Sequence, residues 1–378
     1  MQTYRIGVIG AGMMGKTHSW CWQSLPFFYE KLPYRCLLHG VATSRMARAG
    51  AARDALGFAR AYETPEALIA DPEIDIVDIA SPNDAHADQL LAAAAVGKKV
   101  YCDKPLTGRL DEAERLAAAL PDPVSVGQMV FHNRCLPATI LARRMCEEGR
   151  LGEIIGFRGA YLHAGNVPEG KPLAWKDSRA MGAGVLYDLG SHLVDLITWI
   201  CGSPLAEVHA RQVTLNPRRP SREDPSRWVE QDSDDMTLMS ARLACGSVGS
   251  LECSKIATGA MDELRFEIHG RKGALRFNLM DANWLEHFDA ADPEMPYGGS
   301  SGFKRIDCVR RYPSPAGFPS PKATVGWLRA HLHSVYTFIS AVHAGAPFEP
   351  SIQRGIDLER MLAAVERAAR SGASERLA

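Results

Sequence analysis

An aspartate and a histidine one helical turn apart carry the clearest chemistry in this sequence. The segment Val185–Cys201 has the apolar pattern of a buried helix, and Asp188, His192 and Asp195 recur along it at helical spacing, so we expect them on one face. An imidazole flanked by carboxylates suits general acid–base catalysis, because a carboxylate fixes the ring tautomer and stabilises its charged form. A structural salt-link network is the alternative. A metal site is a further one, although no other His or Cys spacing supports it.

A lysine in the tripeptide Asp103-Lys104-Pro105 is the second candidate for chemistry. The tripeptide follows the apolar run Val100–Cys102, which predicts a strand, so Lys104 lies on a loop at a carboxyl end of the sheet. In the crevice there, its ammonium could donate to a substrate hydroxyl and stabilise alkoxide character. A surface position or a contact with a cofactor phosphate is the alternative.

Upstream of both, an apolar N-terminal run breaks into Gly10-Ala11-Gly12-Met13-Met14-Gly15, a G-x-G-x-x-G motif. In a dinucleotide site, Gly10 permits the tight turn, Gly12 lets the backbone approach a pyrophosphate, and Gly15 lets the next helix pack close to the strand. The helix N-terminus offers unpaired N–H groups and a positive dipole end to the phosphates. A plain tight turn between strand and helix is the alternative.

The second strand, Cys36–Ala42, ends in Thr43-Ser44-Arg45, and no carboxylate occurs between Thr43 and Ala52. NAD sites usually place Asp or Glu here for the ribose 2′-hydroxyl, whereas NADP sites use small polar residues and Arg. Ser44 and Arg45 therefore favour NADP over NAD, unless Arg45 is only a solvated residue of the next helix.

Alternating strands and helices up to about residue 126, including a strand predicted at Val124–Val126, indicate a doubly wound parallel sheet of Rossmann type. Loops after its strands converge on one crevice. We expect the cofactor contacts to come from these loops: Gly10, Gly12, Met13, Met14, Ser44, Arg45, Ser81, Asn83, His86, Asp103 and Lys104.

Downstream, runs of strands with few helices between them indicate a second, α+β domain with an open mixed or antiparallel sheet. We place the domains at residues 1–126 and 127–378. Two stretches, Asn216–Asp235 and Asp289–Thr324, are predicted as long loops that act as lids, arms or linkers. Acidic residues lie alongside the arginines in the first of them, Arg218, Arg219, Arg222 and Arg227, which favours a solvated loop over a basic patch.

Composition excludes several classes of protein. A chain of 378 residues with 46% hydrophobic and 23% charged residues and a net charge of −1 has the composition of an ordinary soluble globular protein, with no general attraction to nucleic acid or membranes. No apolar run reaches the length of a membrane span, and Met1–Gly10 lacks the pattern of a signal peptide. Nine scattered cysteines without a C-x-x-C pair argue against a zinc site and against a disulfide framework. We expect a cytoplasmic protein without a bound metal.

In their order and spacing, these motifs resemble the glucose–fructose oxidoreductase / inositol dehydrogenase / rhizopine-catabolism (Gfo/Idh/MocA) family. The matching segments are Gly10–Gly15, Ser81-Pro82-Asn83 with His86, Asp103-Lys104-Pro105, Gly184–His192 with Asp195, and the predicted hairpin Phe266–Gly273. The resemblance covers nearly the whole chain. It implies a Rossmann domain, an open-sheet domain that assembles dimers or tetramers, and hydride transfer between NAD(P) and a sugar or polyol.

The resemblance also implies roles for individual residues. Lys104, Asp188 and His192 would form the catalytic triad, and the Lys104–Pro105 peptide would be cis. Two positions depart from the family pattern: Asp103 stands where members often carry Glu, and Gly182-Ala183-Gly184 replaces a run of three glycines.

Substrate contacts are expected from the strand end and loop ahead of the Asp188 helix. His163 could bond a pyranose and Trp175 could stack on it, together with Asn166, Lys176 and Asp177, although Trp175 suits a packing role equally well. The segment Gly15–Trp20 is similar to a branch that acts on anhydrosugars and glycosides.

The sequence therefore predicts an NAD(P)-dependent oxidoreductase of a sugar or cyclic polyol. Two alternatives remain. The first is a non-enzymatic dinucleotide sensor of the same fold, which would have no need of Lys104, Asp188 and His192 together. The second is an oxidoreductase with a tightly held cofactor that shuttles between two sugars.

Overall fold

The computed structural model describes residues 1–309, 312–320 and 322–377, and the chain divides into two compact units. The first comprises residues 1–135 and 312–359, and the second comprises residues 136–311 and 360–378. The predicted division was into residues 1–126 and 127–378. In the structure, residues 312–359 belong to the first unit as well. No helix within the described ranges is long and apolar enough to cross a membrane.

A six-stranded, all-parallel sheet forms the centre of the first unit, in the order β3-β2-β1-β4-β5-β6. This arrangement confirms the predicted Rossmann sheet. The strands are β1 Gln2–Ile9, β2 Tyr34–Ala42, β3 Arg60–Tyr62, β4 Ile76–Ile79, β5 Lys99–Cys102 and β6 Gly127–Met129.

Helices connect these strands, as parallel pairing requires. They are α1 Met13–Phe28, α2 Met46–Leu56, α3 Pro65–Ala70, α4 His86–Ala95, α5 Leu110–Ala119 and α6 Pro123–Val126. A later helix, α9 (Trp327–Ala344), packs against α1. Its apolar face joins a buried aromatic core that includes Trp22, Tyr101 and Phe338.

A nine-stranded mixed sheet forms the second unit, in the order β16-β15-β14-β13-β7-β12-β11-β8-β17. Among its described strands, β7 and β12 pair in parallel and the other pairs are antiparallel, which confirms the predicted mixed sheet. Its strands are β7 Ile154–Leu162, β8 Leu205–Val213, β11 Met236–Leu243, β12 Val248–Ser254, β13 Glu263–Gly270, β14 Gly273–Asn278, β15 Trp284–Asp289, β16 Lys304–Asp307 and β17 Glu375–Arg376, and a separate hairpin joins β9 Arg218–Pro220 to β10 Trp228–Glu230.

Three helices contribute to the second unit. These are α7 Pro137–Glu147, α8 Ser191–Cys201 and the C-terminal part of α10 Ile352–Ser371. The sheet also carries a concave surface with a volume of about 700 Å³, which is lined by both arginines and carboxylates. The charged side chains that line it are Arg158, Arg211, Glu252, Arg265, Glu267, Arg276, Asp281, Glu286 and Arg305.

Several predicted elements were wrong. Val124–Val126 lies in helix α6 rather than in a strand, because Pro123 begins the helix and the Asp122 carboxylate accepts hydrogen bonds from the backbone N–H groups of Val124 and Ser125. The predicted loop 216–235 contains the β9–β10 hairpin. The predicted loop 289–324 contains β16, and its residues 310, 311 and 321 lie outside the described residues.

Candidate active site

The glycine turn between β1 and α1 has the geometry that phosphate binding requires. Gly10 has a φ of 103°, and a Cβ there would overlap the carbonyl of Ala80, whereas a Cβ on Gly15 would overlap the carbonyl oxygen of Gly10. At Gly12, the N-cap of α1, a Cβ would meet nothing within 4 Å. The turn therefore needs Gly10 and Gly15 for its own shape and leaves open space beside Gly12, as a cradle for a dinucleotide does.

The strand ends that precede the predicted cofactor loops are in register. Ile9 pairs with Ala42 of β2 and with Ile79 of β4, and Ile79 pairs with Cys102 of β5. The segments that begin at residues 10, 43, 80 and 103 therefore leave the sheet at one level along its carboxyl edge. This arrangement agrees with the predicted crevice.

After β2, Thr43 is buried and its hydroxyl bonds the backbone of Arg45, which fixes the turn into α2. Ser44 and Arg45 are exposed. Within the described ranges no side chain forms an ion pair with Arg45, so its guanidinium is available to an anion. Met13 is also exposed, and Met14 is half-buried.

The loops after β4 and β5 are tied together by His86. Its ring is fully buried, with Nε2 3.0 Å from the carbonyl oxygen of Ser81 and Nδ1 3.1 Å from that of Pro105. The side chain therefore supports both loops. Direct contact between His86 and a cofactor stays a prediction, and this burial does not favour it. Asn83 is buried too, and the Ser81 hydroxyl bonds Gln89.

The Asp103-Lys104-Pro105 loop has the expected cis peptide between Lys104 and Pro105. The Asp103 carboxylate is mostly buried and accepts a hydrogen bond from the backbone N–H of Lys104 at 2.9 Å. The short Asp side chain is thus directed to its own loop, where the family often has the longer Glu. Lys104 is half-buried on the same loop.

In the second unit, Asp188 lies in a π-helical segment, Leu186–Gly190, that runs directly into α8. The sequence predicted a continuous α-helix, so this wider turn is a correction to the expected spacing of Asp188 from His192. Such turns recur at functional sites. His192 is 4% exposed and Asp195 is 1% exposed, so the polar stripe begins near solvent at Asp188 and continues into the interior.

Two lysines flank the Asp188 carboxylate. Nζ of Lys255 lies 3.0 Å from Oδ2, and Nζ of Lys176 lies 3.7 Å from Oδ1. Ammonium groups in these positions favour an ionised, hydrogen-bonded carboxylate over a metal ligand.

The other predicted substrate residues separate into half-buried and buried groups. Nε2 of His163 lies 2.9 Å from the Asp262 carboxylate, which also accepts from the hydroxyl of Tyr161, and the Tyr161 ring makes an edge contact with the His192 ring. Trp175 is half-buried, with the Lys176 ammonium 5.6 Å from its ring centre.

Asn166 and Asp177, by contrast, are buried and bond each other at 3.3 Å. Direct contact between these two side chains and a substrate stays a prediction, and their burial does not favour it. A correction concerns Arg219, predicted to be solvated. It is fully buried, 3.6 Å from Asp235, and it donates to the carbonyl of Asn166.

The backbone of Gly182-Ala183-Gly184 shows why alanine is tolerated at the middle of the three positions. Gly182 is left-handed, with a φ of 67°, and Gly184 has a φ of 123° and lies so close to the Asp234 carboxylate that a Cβ would overlap it. Ala183 needs no such conformation and is buried. The two positions that require glycine are therefore retained.

Sequence reasoning missed Lys255. The signal was a lysine directly after β12, which is the same place relative to a strand that Lys104 has in the first unit.

One group of possible metal ligands occurs within the described ranges, formed by His39, Asp71 and Glu73. Arg60 contacts both carboxylates, with Nη2 2.8 Å from Glu73. One guanidinium thus compensates part of the negative charge of the two carboxylates.

A glycine turn on a parallel sheet and an acid–imidazole helix on a mixed sheet are together features of the NAD-binding oxidoreductases. Residues 4–126 match the family profile described as an oxidoreductase family with an NAD-binding Rossmann fold, and residues 139–276 match the Gfo/Idh/MocA C-terminal domain. The chain belongs to the Gfo/Idh/MocA family, as its motifs predicted.

Relatives extend over nearly the whole chain. Levoglucosan dehydrogenase of Pseudarthrobacter phenanthrenivorans is 31% identical over 370 residues, covering 94% of this chain and 93% of the relative. Inositol 2-dehydrogenase of Rhizobium meliloti is 27% identical and covers 99% and 98%. Among solved structures, an oxidoreductase domain protein from Kribbella flavida has a TM-score of 0.93 at 32% identity. A levoglucosan dehydrogenase in complex with NADH and levoglucosan has 0.93 at 29%, and both cover 100% of each chain.

Proposed function

We propose that this protein is an NAD(P)-dependent dehydrogenase or reductase that interconverts a hydroxyl and a carbonyl group of a sugar or cyclic polyol. The observation that carries the proposal is the Asp188 carboxylate, held between two ammonium groups one helical turn before the buried His192. Hydride transfer also requires a site for a nicotinamide cofactor. The match to an NAD-binding family and the open space beside Gly12 support such a site.

We propose that Lys104, Asp188 and His192 act on one substrate. In the oxidation direction, a ring nitrogen of His192 takes the hydroxyl proton, and Lys104 donates a hydrogen bond to the same oxygen. Asp188 fixes the orientation of the His192 ring. Bound nicotinamide supplies the hydride acceptor. Proton transfer by a positioned side chain typically contributes about 10²–10⁴ to the rate.

The names of the relatives support a ring polyol as the substrate. Levoglucosan and inositol dehydrogenases are among them, and one levoglucosan dehydrogenase structure contains L-sorbose. His163 and the half-buried Trp175 are the proposed substrate contacts, through a hydrogen bond and through stacking.

For the cofactor, we propose a preference for NADP(H) over NAD(H). The exposed side chains of Ser44 and Arg45 support it, since both suit a 2′-phosphate. The levoglucosan dehydrogenase structures contain NADH, so NAD(H) use is the competing expectation.

The test is a panel of ring sugars and polyols, including levoglucosan and myo-inositol, assayed for NADPH and NADH production. Lys104→Ala and His192→Ala should each reduce turnover by about 10²–10⁴ while dinucleotide binding persists. Lys99→Ala, at the opposite end of the same strand, is the matched control and should retain activity.

Near-normal turnover in either active-site variant would contradict the proposed roles. Tight dinucleotide binding without turnover of any ring sugar would instead favour the sensor. The shuttling enzyme would be identified if a dinucleotide copurifies with the protein, is reduced by one sugar and is reoxidised by another, with no free cofactor added.

A further inference from the structure

The buried ammonium of Lys255 is the feature of the second unit that the proposed chemistry leaves unexplained. Lys255 follows β12 directly, and its Nζ lies 3.0 Å from Oδ2 of Asp188. The side chain is 9% exposed. A charge this deeply buried is costly unless it is paired, so its partners define its role.

Carboxylates surround this ammonium. Burial acts to lower the pKa of Lys255, but Asp188 above all, and then Asp177 and Asp234, hold that pKa above its usual value. Among the described residues, the ion pair of Lys255 at hydrogen-bonding distance is the one with Asp188. Lys255 therefore remains a cation at neutral pH, and its short contact is with the proposed catalytic carboxylate.

The backbone holds Lys255 firmly in place. Its N–H donates to the carbonyl of Asp235 at 2.8 Å, and its own carbonyl accepts from the N–H of Asn166 at 2.8 Å. The residue is thus fixed between the start of β11 and the loop that follows β7. A side chain anchored in this way can determine where the Asp188 carboxylate points.

We propose that Lys255 is a positioning residue that keeps the Asp188 carboxylate ionised and correctly directed for its work with His192. This inference rests on the proposed dehydrogenase function. Its alternative is an ion pair that only stabilises the fold, and a buried pair of that kind is often replaceable by apolar residues without loss of stability.

Other charged groups face this pair, and they set the background for any pH effect. Lys176 approaches the second oxygen of Asp188, and Lys171 interacts with Asp177 and Lys255. The buried pair of Arg219 and Asp235 lies beyond Lys171, and Glu366, paired with Arg179, faces Asp234. These groups remain unchanged when only Lys255 is substituted.

The first test compares Lys255→Met and Lys255→Arg with the wild type in the pH dependence of kcat/KM for a ring sugar that the wild type oxidises. Without its neighbouring cation, Asp188 should protonate at higher pH, so the acid limb should move upward by about 1–3 pH units in Lys255→Met. Turnover near neutral pH should fall at least tenfold, and Lys255→Arg should restore the limb.

Lys171→Met is the matched control, because it removes a partly buried cation of the same network that bonds Asn166 instead of Asp188. Its acid limb should match the wild type. An unshifted limb in Lys255→Met, or an equal shift in Lys171→Met, would overturn the proposal.

A second test does not depend on turnover. In Lys255→Met, the pKa of Asp188 in the folded protein should lie above its pKa in the unfolded chain. Below the unfolded-state pKa, this difference should not change the stability. The loss of stability should then grow as the pH rises through the folded-state pKa. The melting deficit should therefore be larger at pH 7 than at pH 4 and should shrink in the double variant with Asp188→Asn.

A deficit independent of pH and unchanged by Asp188→Asn would contradict the pairing. If the wild type oxidises no ring sugar, the proposed function fails, and the melting experiment still decides whether Lys255 governs the charge of Asp188.

Discussion

Nδ1 of His18 lies 2.9 Å from Oδ1 of Asp78, and neither side chain is exposed to solvent. The second oxygen of Asp78 accepts from the indole N–H of Trp22 at 2.8 Å. One buried carboxylate in β4 thus fixes two successive turns of α1, the helix that begins at the glycine cradle. The position of that helix depends on Asp78.

Removing this carboxylate should destabilise the first unit. Asp78→Ala leaves two buried donors without an acceptor, so the free energy of unfolding should fall by about 3–5 kcal/mol. Asp78→Asn should cost less, because an amide can accept from Trp22 and donate to a neutral His18. Denaturant unfolding measures both. Asp54→Ala, which breaks an exposed pair with Arg53, is the control and should have little effect.

The buried His333 should make the protein sensitive to acid. Its Nδ1 lies 2.8 Å from the hydroxyl of Tyr29, to which Arg329 donates, so the Tyr29 proton is directed at the imidazole. Burial, with a contribution from Arg329, lowers the pKa of His333 to about 3. Between about pH 3 and about pH 6.5, His333 is neutral in the folded protein and protonated in the unfolded chain. The stability should therefore fall as the pH drops from about 6.5 toward 3.

At pH 4.5, this group alone should cost about 2–3 kcal/mol relative to neutral pH. His333→Gln keeps an acceptor for Tyr29 and should flatten the decline in melting temperature between pH 6.5 and 4.5. His343→Gln, on the exposed side of the same helix, should leave the decline unchanged. Equal slopes in the wild type and His333→Gln would disprove the assignment.

Motifs with strict local geometry were predictable from the sequence. The glycine turn, the loop at Lys104 and the Asp188–His192 helix each rest on short-range spacing, and the structure has each in the predicted element. The π turn at Asp188 was not predictable, because it depends on neighbours such as Asp234, which bonds the N–H of Leu186. Residue spacing alone does not distinguish π from α geometry.

Partners distant in sequence account for the remaining differences. Lys255 and Asp188 are brought together only by the packing of β12 beside the π segment. The burial of Arg219 likewise depends on Asp235 and on a hairpin with no strong strand signal, so local composition indicated a solvated loop. Charged residues that are buried through remote partners cannot be recognised from local composition.

The three motif glycines should separate folding from cofactor binding. Gly10→Ala and Gly15→Ala place a Cβ against backbone carbonyls and should lower the melting temperature or prevent folding. Gly12→Ala adds a methyl group where no atom lies within 4 Å, and its φ of −75° suits alanine. Its melting temperature should match the wild type, whereas its dinucleotide affinity should fall, since the methyl group enters the cradle.

Thermal melting without ligand and fluorescence titration with dinucleotide distinguish these outcomes. Unchanged affinity in Gly12→Ala would argue that the pyrophosphate does not approach this turn.

The concave surface of the nine-stranded sheet is a proposed contact between copies of this chain. Its arginines and carboxylates can pair with those of a second copy across a twofold axis. Leu238 lies within it and is 40% exposed. We expect a dimer or tetramer in solution, and Leu238→Glu should shift its mass toward the monomer in light scattering. Val124→Glu, at 38% exposure in the first unit, should not. A monomeric wild type would contradict the prediction.

Arg45 should decide which dinucleotide binds. Because its guanidinium is exposed after β2 and no carboxylate occurs between Thr43 and Ala52, NADPH should bind the wild type more tightly than NADH. Arg45→Asp removes the cation and supplies an acceptor for a ribose 2′-hydroxyl, so NADPH affinity should fall about 10–100-fold while NADH affinity rises. Arg48→Asp, one turn further along α2, changes the same charge away from the strand end and should keep the wild-type preference.

Titrations at one fixed ionic strength are needed, since phosphate contacts are sensitive to salt. Tighter NADH binding by the wild type would show that Ser44 and Arg45 do not select the 2′-phosphate, and an equal loss in Arg48→Asp would reduce their effect to general electrostatic attraction.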